Sequence, residues 1–577
     1  MDILSILVGM HIHIVPNRGS APTVLLRESY RDGAKVGKRT LANLSALPAA
    51  QIEAIRAVLR GEELRPVAQC FEITASRAHG HVCAVAAAMQ RLGLASLIGT
   101  KPCRERELVL AMVAARIVEP DTKLATTRRW HTTTLATDFG VADADEDDLY
   151  TAMDWLLARQ DTIQKKLAAR HLSAGGLVLY DLSSSYFEGS TCPLARRGYS
   201  RDGKPGTLQV NYGLLTDVRG CPVAVSVFEG NTADSTTFMP AVQRVREDFG
   251  LEHVVMVGDR GMVSQKAIDA LRARDGIGWI TALKSASIRA LVEQGQLQLG
   301  LFDERNLLEL DSPDYPGERL VACRNGELAK RRAHKREALL AATETCLAQI
   351  KVRVDAGKLG GQDKIGVRVG KIVNKYKVAK HFDLSIGDAS LAWVRRRDAI
   401  DAEAALDGIY IIRTSVPVAQ MDAPECVRNY KSLSQVERAF RSLKTIDLKV
   451  RPIHHRLADR VRSHIFLCML AYYVEWHMRE AWRALMFADT EQGIKATRDP
   501  VAPAQRSVSA QAKAASHTLP DGSPVHSFAT LMADLATLTR NTCRTPHAGH
   551  DAHTFDVLTT PGPTQQRALA LIEQITL

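Results

Sequence analysis

At 577 residues, with 46% apolar, 24% charged and 5% aromatic side chains, the chain has the composition of a soluble globular protein and is too long for one ordinary core, so two to four domains are expected. Its formal net charge of +11 and pI near 9.1 favour a polyanionic partner. The ten cysteines stand singly, at 70, 83, 103, 192, 221, 323, 346, 426, 468 and 543, which argues against a zinc ribbon or disulfide framework and fits a reducing cytoplasm.

The opening stretch, Met1 to Met10, lacks a basic leader and does not read as a secretory signal. Thr23 to Leu44 alternates in short pieces around Arg31-Asp-Gly33 and Val36-Gly37 and offers Lys35, Lys38 and Arg39, predicting a twisted hairpin with a basic rim. From about Ala49 to Leu172 the pattern turns helical, as at Ala84 to Leu94, Glu107 to Val118 and Asp148 to Leu167. The middle of the chain changes character. Leu177 to Asp181, Leu208 to Thr216 and Val223 to Phe228 read as strands separated by Gly- and Pro-containing turns. A helix from Met239 to Phe249, a strand from His253 to Val257, a helix capped by Ser264 and ended by Gly276, and a strand from Gly278 to Leu283 follow. This order predicts a mixed α/β sheet with helices on its faces.

Lys284 to about Ala405 has its own texture: a charged helix around Lys330 to Ile350, Gly- and Lys-rich strand pieces through Lys371, Lys375, Lys377 and Lys380, then Leu391 to Arg397. Gly408 to Thr414 returns to the sheet. A long helix is expected from Ala458 to about Leu485, and its apolar part, Ile465 to Trp476, is too short to span a bilayer. Ala502 to Pro524 reads as a polar linker before a last amphipathic helix carrying Phe528, Leu531, Leu535 and Leu538.

The chemistry concentrates in three acids. Asp181 ends an apolar strand, where a buried unpaired charge costs several kcal/mol, and Asp259 sits where a second strand enters a turn. Each alone has an ordinary structural reading, as a loop cap or as turn chemistry. The third acid, Glu437, lies midway between Tyr430 and Lys444 at a spacing of seven residues, which on a helix stacks the three side chains on one face. Val436, Phe440 and Leu443 bury another face. Two strand-end aspartates and a helix glutamate converge if the stretch before Glu437 loops out of the sheet, and their mutual repulsion then calls for divalent cations. Oxygen-only ligands favour Mg²⁺ or Mn²⁺, and a two-ion site suits hydrolysis and transfer of phosphodiesters.

The order Tyr180-Asp-Leu-Ser-Ser-Ser-Tyr-Phe-Glu-Gly, Gly258-Asp-Arg-Gly-Met, and Tyr430 with Glu437 and Lys444 resembles the DDE transposases of bacterial insertion sequences, in particular those with a β-rich insertion before the glutamate and a tyrosine-arginine-glutamate-lysine signature. The likeness extends from Arg27-Glu-Ser-Tyr-Arg-Asp-Gly to Phe555-Asp-Val-Leu-Thr-Thr-Pro. It implies an α/β, RNase H-like mixed-sheet catalytic domain (171–284 and 406–485) split by a β-rich insertion (285–405). A mainly helical DNA-binding region precedes it (1–170), and a linker and helical C-terminal region follow (486–577). It further implies Asp181, Asp259 and Glu437 as catalytic metal ligands for two Mg²⁺ or Mn²⁺ ions. DNA contacts are expected from Tyr430, Lys444, Arg441, Arg260, Trp393, Lys38 and Arg39. The signature arginine falls on Leu433, so its phosphate contact is missing or passes to Lys431, Arg438 or Arg441.

The expected function is metal-dependent cleavage at element ends and strand transfer into target DNA, by a homodimer on paired terminal inverted repeats in the cytoplasm, at the nucleoid. A nuclease or resolvase without strand transfer and a silent DNA-binding descendant are the alternatives. Trp393 has a base-stacking reading and a more ordinary packing one. His454 and His455, beside Arg451 and Arg456, fit a phosphate contact and a solvated helix start equally.

Overall fold

The computed structural model describes residues 9–62, 64, 70–545 and 554–577. It divides into two compact units, one of residues 1–77 with 539–559 and one of 78–538 with 560–577. The division thus falls at 77, far short of the expected boundary at 170. The reason lies in the helices that follow: Gly80–Arg91, Arg104–Val118 and Glu146–Leu157 bury apolar faces in the same core as the main sheet.

In the first unit the strands Met10–Val15, Thr23–Asp32 and Lys35–Asn43 form an antiparallel sheet, followed by the helix Ala49–Leu59. The expected hairpin is its second and third strands, turning at Gly33 with φ of +58°. A second sheet joins Glu72–Ala78, Thr539–Arg544 and Thr554–Leu558. Glu72–Ala78 interrupts a stretch read as helical. Its partner strand is more than 460 residues away, as the bond from Thr74 to Thr542 shows (|i−j| = 468), so no local pattern reveals it.

The second unit is built on a nine-stranded mixed sheet. Its strands are β1 (Leu177–Tyr186), β2 (Arg196–Arg197), β3 (Leu208–Thr216), β4 (Pro222–Glu229), β5 (Val254–Gly258), β6 (Ile277–Ala282), β7 (Leu307–Leu310), β8 (Arg319–Arg324) and β9 (Ile409–Thr414). The order is β7-β8-β9-β6-β5-β1-β3-β2, with β4 also on β3. The central pairs β1/β5 and β5/β6 are parallel. Along β1, Val178, Tyr180 and Leu182 enter one core with Phe238 and Ile268, whereas Leu179 enters the other. Burial of both faces explains why the strand reads as a continuous apolar run.

The helices Asp234–Gln243 and Gln265–Arg272 cover one face, the latter capped by Ser264 as expected. The opposite core is filled by Ala458–Ala481, which is buried on all sides from Ser463 to Met478 and is therefore enclosed by protein there. Among the described residues no helix is long and apolar enough to cross a membrane.

Three expectations change. The insertion is mainly helical, not β-rich: Gly326–Asp355 packs on Gln362–Tyr376, beside one hairpin, Phe382–Gly387 with Ser390–Arg395. Lys371 and Lys375 belong to the second of these helices, because Ile365, Val369 and Val373 recur at helical spacing and are buried. The strands β7 and β8, also in this stretch, join the main sheet. The expected helix from Asp148 to Leu167 is two helices, Glu146–Leu157 and Gln160–His171. Finally, the expected linker contains the helix Val508–Ser516 and buries Ala510 and Leu519.

Two buried histidines make this unit acid-sensitive. Burial, reinforced by His79, pushes His81 down to about 4, and burial, reinforced by His171, pushes His477 down to about 3. Both values lie below that of an unfolded histidine, so the unfolded chain protonates first. Their contribution is complete above about pH 6.5 and is lost as pH falls below it. From pH 7 to pH 5 the loss is about 2 kcal/mol per histidine. Between pH 7 and pH 5 the urea midpoint should fall by correspondingly more in the wild type than in His81→Gln/His477→Gln. An identical pH dependence in the two proteins would refute this.

Candidate active site

Strand register brings the two aspartates together. In the parallel pair β1/β5, Tyr180 stands opposite Gly258, so Asp181 and Asp259 come next on adjacent strands. Side-chain alternation directs Leu179 and Asp181, and Val257 and Asp259, toward the same face. Leu179 and Val257 share their core with Val436, Ala439 and Phe440 of the helix Leu433–Arg441, which carries Glu437 and packs on β1. Glu437 and Asp259 are exposed and Asp181 is half-buried.

The electrostatics record this convergence. Burial pushes the Asp181 carboxyl up to about 7; the charges of Asp259 and Glu437 add to the rise, while the Leu182 N–H and Arg201 oppose it. The Leu182 N–H donates to Asp181 Oδ1 at 2.8 Å. The Tyr430 hydroxyl donates to Asp259 Oδ1 at 3.3 Å, and burial, then Asp259, raises that phenol. Tyr430 therefore meets an acid of the set directly. The donor set is oxygen only and crowded with like charge, which fits a hard divalent cation. Softer donors gather elsewhere: ligand atoms of His171, Cys221 and His477 lie within 4.8 Å of one another, with no member in the carboxylate set.

The seven-residue repeat does not lie on one regular helix. Ala423–Lys431 ends before Leu433–Arg441 begins, and Ser442–Ile446 is a π-helical turn. Lys444, in that turn, is only 8% exposed, and its amine is 3.1 Å from Asp202 Oδ1. Burial lowers its pKa against the opposing pull of Asp202. The amine expected to contact phosphate is thus held inside by a buried carboxylate. Leu433, at the signature's arginine position, packs against the core.

Arg260, Arg438 and Arg441 are exposed beside or one turn from the acids. Trp393 lies opposite Leu384 in the insertion hairpin and packs against the clusters around Leu391 and Phe382. It is a half-buried packing residue, in line with the more ordinary of its two expected readings. In the first unit Lys38 and Arg39 are exposed on Lys35–Asn43, with Arg39 paired to Glu28 at 2.7 Å.

Residues 178–474 match the Transposase DDE domain family, more than half of the chain, and residues 12–69 match the IS1634 family transposase N-terminal domain. The chain belongs to the DDE transposase family. No curated protein matches it. Among solved structures it is similar to a piggyBac transposase synaptic complex with hairpin DNA, at 8% identity and a TM-score of 0.34, over 80% of this chain and 79% of that one. The chain is an insertion-sequence transposase, of a family of metal-dependent enzymes that cleave DNA and transfer strands.

Sequence reasoning missed how this transposase is held together next to its acids. Asp202, in the turn Ser200-Arg-Asp-Gly-Lys204, is 2% exposed at its side chain and receives both Lys444 and Arg451, while its Oδ2 accepts from the Tyr186 N–H at 2.9 Å. Arg201 pairs with Asp234 and opposes the rise at Asp181. The signal was a charged pair inside a glycine-rich turn, which by composition reads as solvated. Asp202→Ala would leave two cations facing one another without a counter-charge. A loss of about 3 kcal/mol in urea unfolding is expected; an unchanged midpoint would show that the pair contributes nothing in solution.

Proposed function

We propose that Asp181, Asp259 and Glu437 hold two divalent ions, Mg²⁺ or Mn²⁺, in an RNase H-like core, and that the transposase excises its element by cut and paste at terminal inverted repeats. The observation that carries this reading is the β1/β5 register, with Tyr180 opposite Gly258 and the Glu437 charge acting on Asp181 across the same face. When bound, the ions activate water or a 3′-hydroxyl and stabilise the leaving oxygen.

The side chains supply positioning. The Leu182 N–H holds one oxygen of Asp181 and the Tyr430 hydroxyl one oxygen of Asp259, so each acid keeps its other oxygen for an ion. The exposed guanidinium groups of Arg260, Arg438 and Arg441 contact phosphates near the cut, taking over from the arginine that Leu433 replaces. Lys38 and Arg39 contact the end duplex from the basic rim of the first unit.

Asp181→Asn, Asp259→Asn and Glu437→Gln should each abolish cleavage of end DNA while leaving end binding within about twofold, because each removes a ligand charge and no phosphate contact. Chelation should stop wild-type cleavage, Mg²⁺ or Mn²⁺ restore it and Zn²⁺ restore little. Near-normal cleavage by any single variant would remove that residue from the set, and activity in excess chelator would remove the mechanism.

We also propose that two chains act on two paired ends, since cutting both ends of one element requires that they be held together. Light scattering of the protein with end duplex should give the mass of two chains on two duplexes. A complex of one chain on one duplex that is competent for cleavage of both ends would contradict it.

A further inference from the structure

Away from the acids, the same unit holds a half-open cavity of about 520 Å³ lined by Arg116, Lys123, Lys449, Arg451, Arg456 and Arg460, with one acid, Asp121, and with Tyr150 and the histidines 454, 455 and 464. Lys123 is 5% exposed and Arg116 6%. Two of the cations have acid partners: Arg460 meets Asp154 at 2.7 Å, and Arg451 meets Asp202, which also takes Lys444. The other four do not. Arg116 donates only to the backbone carbonyls of Leu448 at 3.5 Å and Asp121 at 3.0 Å, and the Asp121 carboxylate is taken by Arg129 at 3.0 Å. Lys123, Lys449 and Arg456 have no carboxylate partner among the described residues.

Burying an unpaired ammonium beside an unpaired guanidinium costs several kcal/mol. The strain is visible at Lys123, which burial, and then the Arg116 charge, pushes down to about 7. The buried His464 Nδ1, on the same wall, has no hydrogen-bond partner. A cavity with this charge is completed by an anion bearing several acceptor oxygens. Its volume lies within the roughly 300–1,000 Å³ of ligand pockets, larger than one phosphate group requires, and leaves room for an attached sugar.

Its place in the fold selects the anion. The Lys449–Leu457 loop lies along the end of β1: Ile453 bridges Phe187, and its carbonyl accepts from the Glu188 N–H at 2.9 Å. Asp181 is on the same strand, six residues before Phe187, or on the order of 20 Å at the rise of a β-strand. Arg451 in the cavity wall shares Asp202 with Lys444, which follows Glu437 by seven residues.

We propose that the Arg116–Lys123 cavity binds a backbone phosphate of the DNA being processed, roughly six nucleotides along the duplex from the cut at about 3.4 Å per nucleotide. The assignment to DNA rests on the transposase reading. The phosphate displaces no protein partner from Lys123 and restores a counter-charge to both buried cations, so that burial strengthens the contact.

The test uses the full-length chain without divalent metal, so that binding is measured apart from cleavage. Lys123→Met should melt at or above the wild-type temperature in phosphate-free buffer, because an unpaired buried charge is gone. It should also bind a short duplex with the slope of log affinity against log salt reduced by about one unit. Arg456→Gln, at the exposed rim, should lower the slope similarly and stands in if Lys123→Met does not fold. Neutralising single phosphates of the duplex with methylphosphonate should weaken wild-type binding near the sixth position and leave Lys123→Met unaffected there. Unchanged slopes in both variants would overturn the proposal. Inorganic phosphate that raises the wild-type melting temperature but not that of Lys123→Met, with duplex binding unchanged, would assign the cavity to a free anion and overturn the DNA assignment. Because Asp181→Asn keeps the cavity, a cleavage-dead Asp181→Asn with the full salt slope separates the two readings.

Discussion

The site depends on the register of two parallel strands. With Tyr180 opposite Gly258, two carboxylates that repel one another stand side by side at the strand ends. Slipping either strand by one residue would send its aspartate to the opposite face. What opposes the slip is burial on both sides. Val178, Tyr180 and Met256 enter one core, and Leu179 and Val257 the other, with each side chain contributing about 2 kcal/mol on burial. A one-residue slip exchanges both sets at once, so the apolar packing that reads as simple core also fixes where the charges stand.

Charge compensation around the acids is arranged in layers. Asp181, the least exposed of the three carboxylates, has its affinity for a proton raised by burial and then by the charges of Asp259 and Glu437. Behind them a fourth acid, Asp202, is oriented by the Tyr186 N–H and by two cations, Lys444 and Arg451. Asp202 is not part of the open carboxylate set; from the turn between β2 and β3 it ties the π-helical turn after Glu437 and the following loop to the end of β1. The Glu437 helix is thus held along its buried face by Val436 and Phe440, and beyond its C-terminus by Lys444 on Asp202.

Much of this was legible in the sequence. The strands β1, β3, β4, β5, β6 and β9 follow from apolar runs between turn residues, and the acids from charges placed where such runs end. The features that were not legible share a cause: their partners are distant in sequence. Glu72–Ala78 pairs with a strand beyond residue 538, Asp202 meets Lys444 across 242 positions, and the insertion's lysines take helical form because Ile365, Val369 and Val373 face Leu347 and Ile350 of another helix. Glycine and lysine density favoured strand pieces there, and tertiary burial decided otherwise. The helix Ala458–Ala481 shows the same limit, since an all-round apolar pattern says that a helix is enclosed without saying by what.

Two buried lysines of the second unit have opposite surroundings. Lys444 has a buried carboxylate of its own, so its charge is neutralised within the fold whatever is bound. Lys123 is at least as buried and faces Arg116 with no carboxylate paired to it, so the fold itself supplies its ammonium with no counter-charge. Exchanging it for an apolar residue of similar length would relieve the fold, because removing an uncompensated buried charge is stabilising even where replacing a paired one is neutral. A transposase whose substrate is a polyanion brings the missing charge with it, and the folded chain is therefore more complete on DNA than off it.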